Sequence, residues 1–235
     1  MKKLQNNGFT IVELMIATVV FSIVLLTISA AILQIGRLYY KSITSARTQE
    51  VARSLMDDIT RSIQFNAGQI VGIGPNTTVP SQNYSNDLDS VSPTGYKAIC
   101  IATKHYSFKF GQQQVGGAHS LVQNDIPSGC TSTKAQNLSS NPSGVELLSD
   151  HMRLSNLVVA PTTVTGTYKV TVRVIYGDNE LLCSPTLNNC SSTVDMDDPQ
   201  INAARDLSCK NIRSGSEFCA VSELSTIVKR RVSDE

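Results

Sequence analysis

Across residues 14–35 nearly every position is apolar or small, and no helical face through the run is polar. About 20 such residues suffice to cross a bilayer, so this run predicts a membrane-spanning helix. Thr18, Ser22, Thr27, Ser29 and Gln34 interrupt it. Polar groups of this kind bond back to carbonyls of the preceding turn and do not forbid insertion. After Gly36 the pattern changes. Val51, Leu55, Ile59 and Ile63 recur at every fourth position, flanked by Ala52 and Met56, with Arg53, Asp57, Asp58 and Arg61 between them. That is a helix with one buried stripe. Arg53 and Asp57 stand one turn apart, an ion pair worth roughly a few tenths of a kcal/mol. Asn66-Ala67-Gly68 reads as a C-terminal stop. Between Thr10 and Gln64 only Gly36 is a potential breaker. A single helix of about 80 Å is therefore expected at 1.5 Å per residue.

Beyond the helix the periodicity shortens. Residues 72–95 are rich in Pro, Asn, Ser and Thr and read as a surface loop. Short strands are expected at residues 98–103 and 106–110, and a long polar, glycine-rich loop at 111–144. Residues 147–159 predict one or two strands. Tyr168, Val170, Val172, Val174 and Tyr176 alternate with Lys169, Thr171 and Arg173, a strand with one buried and one wet face. Gly177-Asp178-Asn179 then suggests a hairpin into residues 180–183. Residues 184–218 read as irregular and 224–232 as a last strand. The expected fold class is α+β: a long N-terminal helix packed on an antiparallel sheet of about four or five strands, one face of which the stripe covers.

Composition adds little beyond excluding classes. Charged residues make up 17% and aromatic residues 6% of the chain, and formal net charge is +1, so bulk charge favours neither nucleic acid nor acidic ligands. The cysteines say more. Cys100, Cys130, Cys183, Cys190, Cys209 and Cys219 all follow the apolar run, and none forms a CxxC pair of the kind zinc sites use. An even number on one side of a membrane segment reads as disulfides in an oxidising compartment. Short loops favour Cys209–Cys219, Cys183–Cys190 and Cys100–Cys130. Lys2 and Lys3 precede the span while Arg37, Lys41 and Arg47 follow it, so charge alone does not orient it. The cysteines do, placing the C-terminal body outside the cytoplasm.

An ordinary secretory signal does not place a carboxylate where its apolar region begins, yet Glu13 stands there. Gly8-Phe9-Thr10-Ile11-Val12-Glu13-Leu14-Met15-Ile16-Ala17 resembles the prepilin-type cleavage and methylation segment of type IV pilins and type II secretion pseudopilins. The resemblance implies several things. A prepilin peptidase cuts between Gly8 and Phe9 and N-methylates Phe9. Glu13 becomes the fifth mature residue and serves assembly. The fold is pilin-like. The partners are other pilin or pseudopilin subunits, the inner-membrane assembly platform and membrane lipid. Major pilins often carry a kinking proline in the span; here the stretch around Ala30 has none. Retention of Glu13 argues against the tip subunit that typically lacks this carboxylate. The chain thus divides into a leader (1–8), a transmembrane and filament-core helix (9–35), an amphipathic continuation (36–67) and a β-rich head outside the cytoplasm (68–235). Loss of both leader lysines takes the formal charge from +1 to −1.

No catalytic pattern stands out. There is no G-x-S-x-G, H-E-x-x-H or phosphate-binding glycine loop. His105, His119 and His151 read as ordinary surface histidines. Asp195, Asp197 and Asp198 are weak calcium candidates with no EF-hand spacing, and no cofactor or metal is expected. Lys229-Arg230-Arg231 would touch nucleic acid only if a filament handled DNA. Asn76, Asn83, Asn137 and Asn189 begin N-x-S/T sequons, which carry no meaning in a bacterial chain. The reading is a non-enzymatic minor pilin or pseudopilin, first an inner-membrane protein and then part of a surface pilus or periplasmic pseudopilus. The competing class is a single-pass anchored adhesin or binding domain; an envelope enzyme is a distant third. Alkylation of non-reduced protein followed by mass spectrometry should leave most of the six cysteines unlabelled. Labelling of all of them would overturn the compartment assignment.

Overall fold

The computed structural model describes residues 10–65, 70–72, 96–127, 135–136, 138–139, 142–185, 190, 206–210 and 215–231. It falls into two compact units, one ending at Tyr40 and one running from Lys41 onward. Helix α1 covers Ile11–Phe65. Thr10 starts it: its Oγ1 accepts the Glu13 N–H at 3.2 Å, and its carbonyl accepts the Leu14 N–H at 3.2 Å. Thr10 is thus an N-cap with the acidic residue three positions on that marks a capping box. The polar interruptions of the apolar run are absorbed as expected. Thr18, Ser22, Thr27 and Ser29 donate their hydroxyls to the carbonyls of Met15, Thr18, Val24 and Leu25 at 2.7–2.9 Å. Gly36 does not break the helix. The predicted stop at Asn66-Ala67-Gly68 lies outside the described residues. At the C-terminal end the Gln64 carbonyl accepts the Arg231 N–H at 3.1 Å, and the Arg231 guanidinium stands 5.4 Å from the centre of the Phe65 ring. A cation brought from far along the chain therefore meets the negative end of the helix dipole.

The second unit holds the core. Ala52, Leu55, Met56, Ile59 and Ile63 are buried, with Thr48 and Ser62 beside them and Val51 half-buried at the margin. Fully burying one such aliphatic chain stabilises by about 1.5–3 kcal/mol. The stripe joins residues from two different sheets in one cluster, including Ile99, Tyr106, Phe108 and Leu121 on one side and Leu154, Leu157, Val170, Val172 and Val174 on the other. All strand pairings are antiparallel. The first sheet runs in order β1 (Ile70–Gly72), β2 (Lys97–Ile101), β3 (Lys104–Phe108), β4 (Leu121–Asp125), β5 (Val145–Glu146). The second places β7 (Thr167–Tyr176) between β6 (Met152–Pro161) and β10 (Ala220–Lys229). A small third ladder pairs β8 (Leu182–Cys183) with β9 (Ser208–Cys209).

The chain is therefore α+β and pilin-like, with an apolar N-terminal helix whose later turns pack on antiparallel sheets. The strand plan differs from expectation in four ways. One sheet was expected, and the described residues form three sheets. Strand β4 falls inside the stretch read as a polar loop, because Leu121-Val122-Gln123-Asn124-Asp125 offers only two apolar residues, and β5 follows directly after that stretch. Gly144 seats β5 beside β4: its φ is 130°, and a Cβ there would lie 2.3 Å from the Gln123 carbonyl oxygen. The expected hairpin after Gly177 does not form. Both edges of β7 are already taken by β6 and β10, so the chain leaves through a 3-10 turn at Asn179–Leu181 and pairs elsewhere. Residues 184–218, read as irregular, contribute β9, and the last strand begins at Ala220.

Cys183–Cys190 and Cys209–Cys219 are disulfides. Cys100 is also disulfide-bonded, and its expected partner, Cys130, lies outside the described residues. The core cluster predicts a large effect at the stripe. Leu55→Asp would bury an unpaired carboxylate and should cost roughly 4 kcal/mol or more. Urea unfolding of a soluble head beginning near Gln34 measures this; unchanged stability would refute the packing.

Candidate functional site

The chemistry expected from the sequence lies at the start of α1. Gly8 and Phe9 lie outside the described residues. Glu13 is in the first helical turn and exposed, with its backbone N–H held by Thr10. The large apolar side chains that follow it are exposed too, Phe21 at 63% and Leu26 at 71%. Helix α1 is long and apolar enough to cross a membrane. A continuous apolar surface of this length is unstable in water and requires lipid or like helices around it.

The secondary candidates resolve differently. Asp195, Asp197 and Asp198 lie outside the described residues. Among the described residues no group of His, Cys, Asp and Glu could hold a metal ion. Lys229 ends β10; the Arg230 N–H donates to the Gly166 carbonyl at 2.8 Å, and Arg231 closes α1 as described. The backbone of the basic run is thus tied into the head at all three residues, Lys229 through its pairing with Thr167. The expectation of three surface histidines fails for His105, which is 4% exposed. It sits in β3 opposite Cys100 on one side and Asn124 on the other, so both neighbouring strands cover it, with the Ser107 hydroxyl 3.4 Å from Nδ1. His119 lies 3.3 Å from Glu146, and exposed His151 lies 3.0 Å from Asp178.

Sequence reasoning missed three polar residues that organise the head. Asp58 accepts from Lys104 at one carboxylate oxygen and from the Tyr106 hydroxyl at the other, at 2.7 Å. The Tyr106 hydroxyl also meets Ser62 Oγ at 3.2 Å. Burial is the main cause that raises the Tyr106 phenol above its usual range, and it remains a donor to Asp58. The predicted Arg53–Asp57 ion pair is not among those found in the described residues; the ion pair that α1 makes with β3 uses the next residue, Asp58. Position 58 adjoins Ile59 at the border of the stripe, which was the available signal.

Arg153 is 1% exposed and donates to the carbonyls of Gly111 and Gly177 and to the Asn179 side chain at 2.9–3.1 Å. Burial pushes its guanidinium down to about 10, with Asp178 opposing the shift. It ties the turn after β7 to the start of β6. Glu146 accepts the N–H groups of Ser120, Leu121 and Leu148 at 3.0–3.1 Å. Burial raises its carboxyl, and those amides and His119 counter it. These arrangements fix strands and turns. None brings a nucleophile and a base together around a cleft.

The Asp58 cluster predicts a graded response. Tyr106→Phe removes one donor and should cost about 1–3 kcal/mol. Asp58→Leu removes one acceptor from the Lys104 ammonium and one from the buried phenol at once and should cost more. Chemical denaturation of the soluble head tests the order, and equal, negligible effects would show that the cluster does not hold α1 on β3.

Comparison with known proteins bears on the N-terminus. No curated protein matches the chain, and no solved structure matches it. A family model does match, the prokaryotic N-terminal methylation motif, over residues 3–29. That stretch contains Gly8, Phe9, Thr10 and Glu13 and ends inside the exposed apolar part of α1. The chain carries the prepilin leader signature of type IV pilins and pseudopilins.

Proposed function

We propose that this protein is a minor pilin or pseudopilin, a structural subunit that a prepilin peptidase cuts after Gly8 and methylates at Phe9. The observation that carries the reading is the methylation motif continuing directly into a helix whose apolar side chains are exposed. The membrane stores processed subunits, and assembly replaces lipid around α1 with neighbouring helices. Partners are other pilin or pseudopilin subunits, the peptidase and the inner-membrane assembly platform. The disulfides favour a head outside the cytoplasm. A large disulfide-braced head and an apolar run without proline favour a minor subunit over the repeating shaft subunit. The role is assembly and not catalysis, which fits a head in which Asp58, Glu146 and Arg153 hold strands and turns in place.

Gly8 and Glu13 act at different steps on this reading. A bulky residue at position 8 blocks access to the scissile bond and leaves the leader attached. Glu13 is away from that bond. The amine freed at Phe9 has a reference pKa near 8, so it is mostly protonated. In a filament it meets the Glu13 carboxylate of a neighbour in a low-dielectric setting, where attraction lowers the cost of both charges and sets the axial register. Gly8→Leu should accumulate unprocessed in the membrane. Glu13→Leu should be cut and inserted but depleted from sheared filaments. N-terminal sequencing and immunoblotting of both fractions decide this. Wild-type incorporation of Glu13→Leu removes the pairing role, and an intact Met1 on wild-type membrane protein favours a plain anchored adhesin or binding domain.

A further inference from the structure

From Ile11 to Gly36 the helix contains no lysine, arginine or tyrosine; then Arg37, Tyr39 and Tyr40 follow almost at once. Arg37 is exposed, Tyr39 and Tyr40 are 63% and 54% exposed, and the two rings meet edge-on at 6.1 Å. At roughly 100° per residue, Arg37, Tyr39 and Tyr40 point about 0°, 200° and 300° around the axis. They therefore cover about 160° of the circumference, a partial collar set directly after the exposed apolar run, at the height where a bilayer boundary meets a spanning helix. Tyrosine has an apolar ring and a polar tip suited to that boundary, and a guanidinium binds phosphate through paired donors.

We propose that Arg37, Tyr39 and Tyr40 form a collar that binds the phosphate and glycerol region of the outer-facing leaflet and sets the depth of α1. The inference rests on the membrane-span part of the functional reading and is independent of filament assembly. Its consequence concerns Glu13. Twenty-four residues separate Glu13 from Arg37, which at 1.5 Å per residue is about 36 Å along the axis. The hydrocarbon core is about 30 Å thick. An average tilt of about 20° shortens the projection only to about 34 Å. With Arg37 at one phosphate layer, Glu13 reaches the opposite headgroup boundary, where its carboxylate stays hydrated. Desolvation of Glu13 then belongs to departure from the bilayer and not to residence in it.

The chain contains no tryptophan, so single substitutions supply unique reporters of depth. The full chain is reconstituted in phosphatidylcholine–phosphatidylglycerol vesicles carrying bromines either near the lipid carbonyl or near the chain end. Leu38→Trp and Val12→Trp should lose more emission to the shallow bromines, and Val24→Trp more to the deep ones. Replacing the collar (Arg37→Gln, Tyr39→Ala, Tyr40→Ala) should change the Val12→Trp profile, because depth is then no longer fixed. Deep quenching at Val12→Trp, no quenching of Leu38→Trp, or a Val12→Trp profile indifferent to the collar would each overturn the proposal. Failure of Val24→Trp to respond to deep bromines would instead remove the span itself.

Discussion

The head depends on one narrow stripe of helix. Ala52, Leu55, Met56, Ile59 and Ile63 are the apolar surface on which two separate sheets both close. A two-layer fold needs a continuous apolar interface, and here neither sheet is wide enough to make one alone. The first has short strands of two to five residues, as in β3 and β5. The second has three long strands. Each gains its buried face by sharing the same helical residues. A strand that cannot reach the stripe must find other cover. The β8–β9 ladder is such a case, with its own small cluster of Ile175, Leu182, Leu207 and Cys219.

Apolar burial is tolerant of rotation and slippage; polar contacts are not. The stripe would accept small axial shifts of the helix, since one aliphatic side chain resembles the next. Asp58 removes that freedom. Its two oxygens are taken by groups two residues apart on β3, which fixes both the height and the rotation of α1 over that strand. Arg231 fixes the far end through the Gln64 carbonyl. Two directional restraints on a greasy interface turn a favourable contact into a unique one, the usual role of satisfied buried polar groups.

Much of this was legible in the sequence, and the omissions share a cause. The helix and its stripe follow from apolar spacing over many residues, a signal that averages out local noise. The β7 alternation is of the same kind. The β2–β3 turn was displaced because Ala102, with φ of 58°, occupies a left-handed position that glycine or asparagine normally announces. Strand β4 is mostly polar and exists because β3 offers it an edge, which is tertiary information. Burial of His105 has the same origin. At the N-terminus the sequence carries more than the fold does, since the methylation motif over residues 3–29 starts ahead of the described helix. Asp58 shows the reverse: a carboxylate beside a stripe has no meaning until the strand facing it is known.

The placement of Glu13 has an internal logic apart from any neighbour. Thr10 caps the helix and Glu13 occupies the third position after it, where the N–H groups of the first turn are unsatisfied and the helix dipole presents its positive end. A carboxylate there is favourable by about 0.3–1 kcal/mol at an exposed site. Deeper in the apolar run it would face roughly 3 kcal/mol of insertion cost with no such return. The proposed role in subunit register would thus fall on the turn of the span where a negative charge is least costly. The same turn would adjoin the new amine after processing, so one helix end gathers an unsatisfied dipole, a carboxylate and a cation. In water these would screen one another and matter little. Their influence grows as the surroundings become less polar, so on the proposed reading the first turn of α1 would respond to any exchange of lipid headgroups for protein.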